Sequence, residues 1–340
     1  MWRRAVAGVL GAWFVLLALP ALAAASDDGT RVLLSLQDPR ITESSGLAAS
    51  VRHPGVLYTH NDSGDSPRVY AVGPDGRTRA ALTLRGAKAR DWEAIATGRD
   101  DAGRPALFVG DIGDNLHGAW PSISVYRMTE PATLRDATVA ATRFRFRYAD
   151  GARDAEALLV DPSTNRLYIV SKERDRGGLY QAPARLRTDR INVLRRVGDA
   201  PALVTDGAFA PDGSRFVLRG YLTAHAFSAP GRAPVRDLGS FGLPLQAQGE
   251  SATYSRDGRF LLVGSEGTES KVWQVALPEQ VAAPVPAPTG TTGVPSGPPS
   301  AASRRPADDD RGTGPRTALA VLAVAGAGAL VIAAVRLARR

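Results

Sequence analysis

The chain has 340 residues, of which 44% are hydrophobic and 22% are charged, and it contains no cysteine. A sequence this long and apolar must bury a core, which excludes a disordered tail. The lack of cysteine excludes disulfide frameworks, thiol nucleophiles and cysteine metal sites. The formal net charge of +8 comes mostly from the two ends of the chain, so the central part is nearly neutral and nucleic acid is not an expected partner.

The N-terminus has the pattern of a secretory signal peptide. Arg3 and Arg4 precede an apolar run, and small residues follow it around Ala23 and Ala25. We therefore predict a signal peptide over residues 1–25. An uncleaved N-terminal anchor is the alternative.

The central part, residues 26–280, repeats one unit five times. Each unit has a short apolar strand, a turn, a stronger apolar strand, a polar loop and a third strand. The units begin at Glu43, Asp91, Asp154, Thr205 and Glu250. Their spacing of about 50 residues is the length of a four-stranded propeller blade. The sequence therefore predicts an all-β fold, a β-propeller of five blades.

The fifth unit lacks a fourth strand because proline-rich sequence follows it directly. We expect the apolar run Arg31–Leu36 to pair into the last blade and close the ring, which would remove an open sheet edge. Six blades remain an alternative, because the unit over residues 91–153 is long enough to hold a degenerate blade. A β-sandwich is the rival architecture.

The C-terminal part has the pattern of a tether. Residues 281–316 are rich in proline, glycine, serine and threonine and are predicted to form a linker, and residues 317–335 carry no charge and are predicted to be a transmembrane helix. Basic residues at 336–340 follow the helix at once, which places this tail in the cytoplasm. The expected protein is bound to the cell membrane by one C-terminal span, with the propeller on the extracytoplasmic side.

Acidic residues recur where the first strand of each unit begins. Because first strands line the channel of a propeller, these side chains should meet around one opening. Such a ring is costly unless it holds a hard cation such as Ca²⁺ or its members have raised pKa values. The alternative is that each acid caps backbone N–H groups of the next blade. The residues concerned are Glu43, Glu93, Glu156 and Glu250, with Asp206 in the fourth unit.

A second set of polar residues follows the second strands, whose ends should share a face with the first-strand starts. Asp62, Asp111, Asp114, Glu173 and Glu266 would add oxygen ligands for Ca²⁺ there. Ordinary turn chemistry is the alternative.

Three further polar residues belong to the same loops. Lys172 and Arg219 would either neutralise the acids or bind a phosphate or sulfate ester together with a cation. His60 is more typical of a turn or core histidine than of a catalyst.

Residues 154–173 and 249–266 resemble blades of the β-propeller phytases and the related phytase-like esterases. In that family, acids on one face hold Ca²⁺ ions that bind a phosphate ester and activate water. The resemblance implies this role for Glu156, Glu173, Glu250 and Glu266.

These observations lead to three functional hypotheses. The first is a binding or interaction module whose acidic face takes Ca²⁺ and a ligand such as an envelope glycan or a protein. The second is a Ca²⁺-dependent phosphoesterase in which Glu156, Lys172 and Arg219 are catalytic and a phosphate ester is the substrate. The third is glycoside cleavage by two channel carboxylates.

Overall fold

The computed structural model describes residues 29–116, 118–231 and 234–282, and every regular element in this part is a β-strand. No helix among these residues has the length and apolar character needed to cross a bilayer. The predicted signal peptide, the predicted transmembrane helix, its basic tail and nearly all of the predicted linker lie outside the described residues.

The described residues form one N-terminal strand and five successive sets of strands. The N-terminal strand is β1 (Arg31–Ser35). The first set is β2 (Ser44–Ala49), β3 (Leu57–Asn61), β4 (Arg68–Val72) and β5 (Thr78–Arg85). The second is β6 (Trp92–Arg99), β7 (Pro105–Asp111), β8 (Ile123–Thr129), β9 (Ala137–Ala140) and β10 (Thr142–Tyr148). The third is β11 (Ala155–Val160), β12 (Leu167–Ser171), β13 (Gly177–Gln181) and β14 (Asn192–Ala200). The fourth is β15 (Asp206–Phe209), β16 (Arg215–Arg219), β17 (Thr223–Ser228) and β18 (Asp237–Gly242). The last is β19 (Gly249–Tyr254), β20 (Phe260–Ser265) and β21 (Lys271–Ala276).

The strand arrangement is that of a β-propeller. Within each set, successive strands pair as antiparallel neighbours apart from β9. The first strands of the sets adjoin in the cyclic order β2, β6, β11, β15, β19 and back to β2. The fifth set is completed by β1, which pairs antiparallel with β21, so the predicted pairing of the N-terminal strand into the last blade is confirmed.

Two parallel pairings join neighbouring blades at their outer edges. Strand β9 leaves the second blade and pairs with β5 of the first, and β10 pairs with β14 of the third. The extra strand explains the length of the unit over residues 91–153. In the described part of the chain this unit contributes one blade, and the alternative of a hidden sixth blade is not supported.

Burial distinguishes the first strands from the outer strands. All six residues of β11 are buried, whereas β10, at the outer edge of its blade, alternates exposed arginine with buried aromatic residues. A first strand is covered on both faces by adjacent blades, and an outer strand is covered on one face. A carboxylate in a first strand, such as Glu156, is therefore buried as a consequence of its position.

The fourth strand of the fourth blade, Asp237–Gly242, has a weak sequence signal. This strand is mostly half-buried or exposed and contains Gly239 with a φ of 114°. It lacks the alternating apolar pattern that locates a strand in sequence.

The propeller also extends slightly beyond its predicted end. Val281, which the sequence placed in the linker, is fully buried, and Arg215 donates hydrogen bonds to the carbonyl oxygens of Val281 and Ala282. The chain is therefore fixed to the fourth blade at the point where the described residues end.

First-strand starts and second-strand ends lie at one end of the molecule. In all five blades the first residue of the first strand pairs with the last residue of the second: Ser44 with Asn61, Trp92 with Asp111, Ala155 with Ser171, Asp206 with Arg219, and Gly249 with Ser265. We call this end the acidic face, defined by the loops before β2, β6, β11, β15 and β19 and after β3, β7, β12, β16 and β20.

Candidate functional site

Three carboxylates from two blades meet on the acidic face. One oxygen from each of Asp62, Asp91 and Glu93 lies within 4.8 Å of the others. Asp62 follows β3 in the first blade, and the other two stand at the start of β6 in the second. We call Asp62, Asp91 and Glu93 the carboxylate cluster.

Backbone hydrogen bonds hold the cluster residues in place. The N–H of Asp62 donates to the carbonyl of Glu43, and its own carbonyl accepts the N–H of Trp92, so the first loop is fastened to the second blade. The hydroxyl of Ser45 donates to Glu93 Oε2 at 3.2 Å. These contacts fix the spacing of the carboxylates before any ligand arrives.

Gly113 closes the cluster from one side. A Cβ atom at this position would lie 2.5 Å from both Asp91 Oδ2 and Glu93 Oε1. Only glycine lets the backbone approach these oxygens so closely, and any larger residue would push into the cluster.

Burial and neighbouring negative charges both act on the pKa values of the cluster. Burial and the charges of Asp91, Glu266 and Glu43 all raise the pKa of Asp62, to about 9. Burial also raises the pKa values of Asp91 and Glu93. The Asp62 Oδ1 atom is buried and accepts no hydrogen bond from the described residues. The cluster thus offers hard oxygen donors, and no cation among the described residues is in contact with them.

The opposite side of the ring has its own cation. Lys172, after β12, donates from Nζ to Glu156 Oε1, and the ammonium lies 5.4 Å from the ring centre of Tyr221. The charges of Glu156 and Glu250 raise the pKa of Lys172 well above its usual value. Both members of the pair are nearly buried, with side-chain exposures of 11% for Lys172 and 4% for Glu156.

Electrostatic coupling joins the two sides. The charge of Glu156 raises the pKa of Glu93, and the charge of Glu250 raises that of Glu156. Glu93, Glu156 and Glu250 therefore lie near enough for their charges to interact, and we call this region the acidic basin. One side is neutralised by Lys172, while the carboxylate cluster is not neutralised by any described cation in contact with it.

Arg219 was predicted to bind a substrate, but its side chain lies inside the protein. It is completely buried, and its guanidinium donates to the carbonyls of Ser251 and Gly264, both at 2.6 Å. These bonds join the fourth blade to the fifth. Arg219 therefore acts as an inter-blade connector, and its contacts leave it no role toward a substrate.

Asp206 caps backbone N–H groups, which is the alternative that the sequence left open for the recurring acids. One oxygen accepts the N–H of Gly207, and the other accepts the N–H of Ala252 in the next blade at 2.7 Å. The acid of the fourth blade is thus a cap between blades.

Three other predicted ligands lie on the acidic face, but each forms hydrogen bonds or an ion pair with other residues of the protein. Asp111 accepts the N–H of Asp91 at 3.1 Å. Asp114 accepts two backbone N–H groups of its own loop, from Leu116 and Trp120. Glu173 pairs with Arg153 at 2.9 Å. Their contacts are those of turns and surface ion pairs.

His60 is a core residue. It is fully buried, it packs edge-on against Trp92 with ring centres 5.7 Å apart, and burial lowers its pKa to about 4. It is neutral at physiological pH, in agreement with the interpretation of His60 as a turn or core histidine.

Asp91 is the cluster member that sequence reasoning did not single out as a ligand. The signal was present, because Asp91 stands two residues before Glu93 and alternate residues of an extended chain share a face. The equivalent residue of the third blade shows why spacing alone is insufficient. There Asp154 accepts the N–H of Asp114 at 2.7 Å and acts as a link between blades.

Comparisons with known proteins give no family. No protein-family model matches the sequence, and no curated protein matches it.

Solved structures resemble the chain at low identity. A glucose dehydrogenase is 10% identical with a TM-score of 0.43, covering 73% of this chain and 99% of its own. A gluconolactonase from Xanthomonas campestris is 15% identical with a TM-score of 0.38, covering 72% and 89%. The propeller of Dos1 is 12% identical with a TM-score of 0.36, covering 66% and 55%. The propeller assignment for this chain rests on its own strand pairing.

Proposed function

We propose that this protein is a membrane-anchored, extracytoplasmic β-propeller that acts as a binding module, with Ca²⁺ held at the carboxylate cluster. The observation that carries the proposal is the uneven charge of the acidic basin. Lys172 offsets Glu156 and Glu250, whereas Asp62, Asp91 and Glu93 converge within 4.8 Å without a contacting cation among the described residues. The membrane anchor is inferred from the apolar sequence at 317–335.

The donor set fits Ca²⁺ better than softer metals. All three side chains offer carboxylate oxygen, which hard cations prefer, and nitrogen ligands are not part of the cluster. The ion would supply positive charge to the mouth of the channel and take further oxygen ligands from a bound molecule. Asp62, Asp91 and Glu93 would hold it, and Glu43 and Glu266 would add to the attraction from outside the cluster.

The proposal is tested by calorimetric titration of the full-length protein with CaCl2. We expect saturable binding with a Kd on the order of 10⁻⁴ to 10⁻³ M, the range of extracellular Ca²⁺ modules. Asp91→Asn and Glu93→Gln should weaken binding roughly tenfold or more. Asp175→Asn is the matched control, because it removes one charge from an exposed residue on the same face. The proposal fails if Ca²⁺ produces no heat at about 5 mM, well above this range, or if the cluster variants bind as well as the control.

A Ca²⁺-dependent phosphoesterase is the second candidate, favoured by the position of Lys172. Its ammonium contacts Glu156, and its charge also acts on Glu93 in the cluster. A phosphate ester between the cluster and Lys172 would meet positive charge from the lysine as negative charge develops on its oxygens. A bound Ca²⁺ would polarise the ester.

This activity is measured with p-nitrophenyl phosphate and phytate in the presence of Ca²⁺. If the protein is an enzyme, Glu156→Gln should lower kcat on the order of 100-fold by disturbing Lys172, while Asp175→Asn leaves it unchanged. Absence of turnover for both esters, or turnover indifferent to Glu156→Gln, would leave the binding module as the function.

A further inference from the structure

The end of the channel opposite the acidic face holds a cavity of about 310 Å³. It is lined by the later residues of all five first strands. Leu47, Ile95 and Leu159 form buried apolar walls, and Phe209 and Ala208 complete it from the fourth blade. The cavity is about twice the size of the ~150 Å³ apolar cavity that admits benzene. It is therefore large enough for a molecule of roughly ten heavy atoms.

The cavity and the carboxylate cluster have no residue in common. Along β6, the cavity lining begins at Ile95, two residues after Glu93, or roughly 7 Å of extended chain.

Two arginines give the cavity an electrostatic preference. Arg99 and Arg256 line it and are exposed at its edge, and neither forms an ion pair within the described part of the chain. The one hydrogen bond formed by the Arg99 guanidinium in this part goes to the carbonyl oxygen of Pro162. The Arg256 guanidinium forms no hydrogen bond or ion pair within the described residues, so it is available to an anion from outside.

The acids nearest in sequence are already engaged. Asp100 pairs with Arg104 at 2.8 Å, and Asp257 accepts from the hydroxyl of Ser255 at 2.6 Å and from the N–H of Arg259. Neither carboxylate pairs with Arg99 or Arg256 within the described residues, so these contacts leave both guanidinium groups free to meet an anion. An apolar body with one anionic group matches both features.

We propose that this cavity is a second binding site, for a small amphipathic carboxylate with its tail in the channel and its anionic group at Arg256 and Arg99. The site goes beyond the proposed Ca²⁺ function and does not depend on it.

The experiment titrates the full-length protein with octanoate and with octanamide, its neutral analogue of the same shape. We expect octanoate to bind at least tenfold more tightly, since a charge-assisted hydrogen bond is worth about that factor. Arg256→Gln should remove most of this difference. Ala208→Leu should weaken both ligands tenfold or more by filling the cavity. Arg259→Gln, the same charge change on a residue that does not line the cavity, is the control.

The outcomes separate this proposal from the function of the acidic face. Asp62→Asn should leave octanoate binding unchanged whether or not Ca²⁺ binds. The proposal is overturned if octanoate does not bind at millimolar concentration, if octanamide binds equally well, or if Arg256→Gln has no more effect than Arg259→Gln. Loss of binding in Asp62→Asn would also overturn it, because the two sites would then not be separate.

Discussion

Replacement of Asp62 by asparagine is expected to abolish Ca²⁺ binding and, at the same time, to stabilise the Ca²⁺-free protein at alkaline pH. The two effects have one cause. Asp62 lies among Asp91, Glu43 and Glu266, whose charges together with burial raise its pKa to about 9. The negative charge of Asp62 would attract a cation, and the same charge is unfavourable in the folded protein when no cation is bound.

The sign of the pH effect follows from linkage. The folded protein binds a proton at Asp62 up to pH about 9, whereas the unfolded chain releases it near the usual value of 3.8. Between these values the folded state holds more protons, so the stability of the Ca²⁺-free protein falls as pH rises. The asparagine side chain in the Asp62→Asn variant cannot ionise, so the variant lacks this contribution to the fall of stability with rising pH.

The measurement is thermal unfolding in EDTA at pH 5 and at pH 9. At pH 5 Asp62 carries a proton, and the Asp62→Asn variant should melt close to wild type. At pH 9 it should melt higher by about 5 °C, corresponding to roughly 1–2 kcal/mol for a domain of this size. With Ca²⁺ added at pH 9, wild type should gain stability by mass action and the variant should not.

Asp175→Asn is again the control, and its melting temperature should follow wild type under all conditions. An Asp62→Asn variant that is destabilised in EDTA at pH 9 would contradict the picture of an unneutralised cluster. It would show that the Asp62 carboxylate is held by donors and contributes to the fold as Asp206 does.

Removal of the Lys172 ammonium is expected to destabilise the propeller by about 3 kcal/mol at pH 8. Lys172 contacts the buried Glu156, and its charge also offsets Glu250. In the Lys172→Met variant these carboxylates lose their cation, and Glu156 must either stay charged in a buried position or take up a proton.

The loss should depend on pH. Burial raises the pKa of Glu156 well above its usual value, so at pH 5 this group takes up a proton readily and needs no cation. The destabilisation is therefore smaller at pH 5 and grows as pH rises through the pKa of the folded state.

A double-mutant cycle isolates the pair. Lys172→Met combined with Glu156→Gln should recover most of the stability, to within about 1 kcal/mol of wild type, because a neutral amide needs no cation. Unfolding by urea in EDTA gives the four free energies. Lys88→Met, at an exposed lysine, is the control and should change stability by less than about 0.5 kcal/mol. Additive effects of the two replacements would contradict the role of Lys172 as the internal cation of the basin.

Much of the fold could be predicted from the sequence because a propeller repeats one structural unit. Five apolar units of similar spacing predicted the blades, and the missing strand of the last unit predicted that residues near Leu34 would complete it. The pairing of β9 with the neighbouring blade was not foreseen. A short, half-exposed strand such as Ala137–Ala140 carries little apolar signal, and its partner lies more than 50 residues earlier in the chain.

The candidate site was predicted in part. Repetition placed Glu93, Glu156 and Glu250 around one mouth, and their mutual effects on pKa agree with that placement. The acids at equivalent positions of the blades nevertheless have different neighbours in the structure. Asp206 found two backbone N–H donors, and Glu156 found Lys172.

The sequence by itself determined the strand order, the burial of the first strands and the end of the molecule at which the acids gather, because all three follow from the periodicity of one chain. Only the tertiary structure decided which acids are neutralised. Asp206 accepts an N–H from Ala252, and Asp154 accepts one from Asp114, in each case from another blade. No described cation is in contact with Asp62. Hydrogen bonds and Coulomb interactions act over a few ångströms in space, and residues that lie that close here are separated by tens of positions in the sequence.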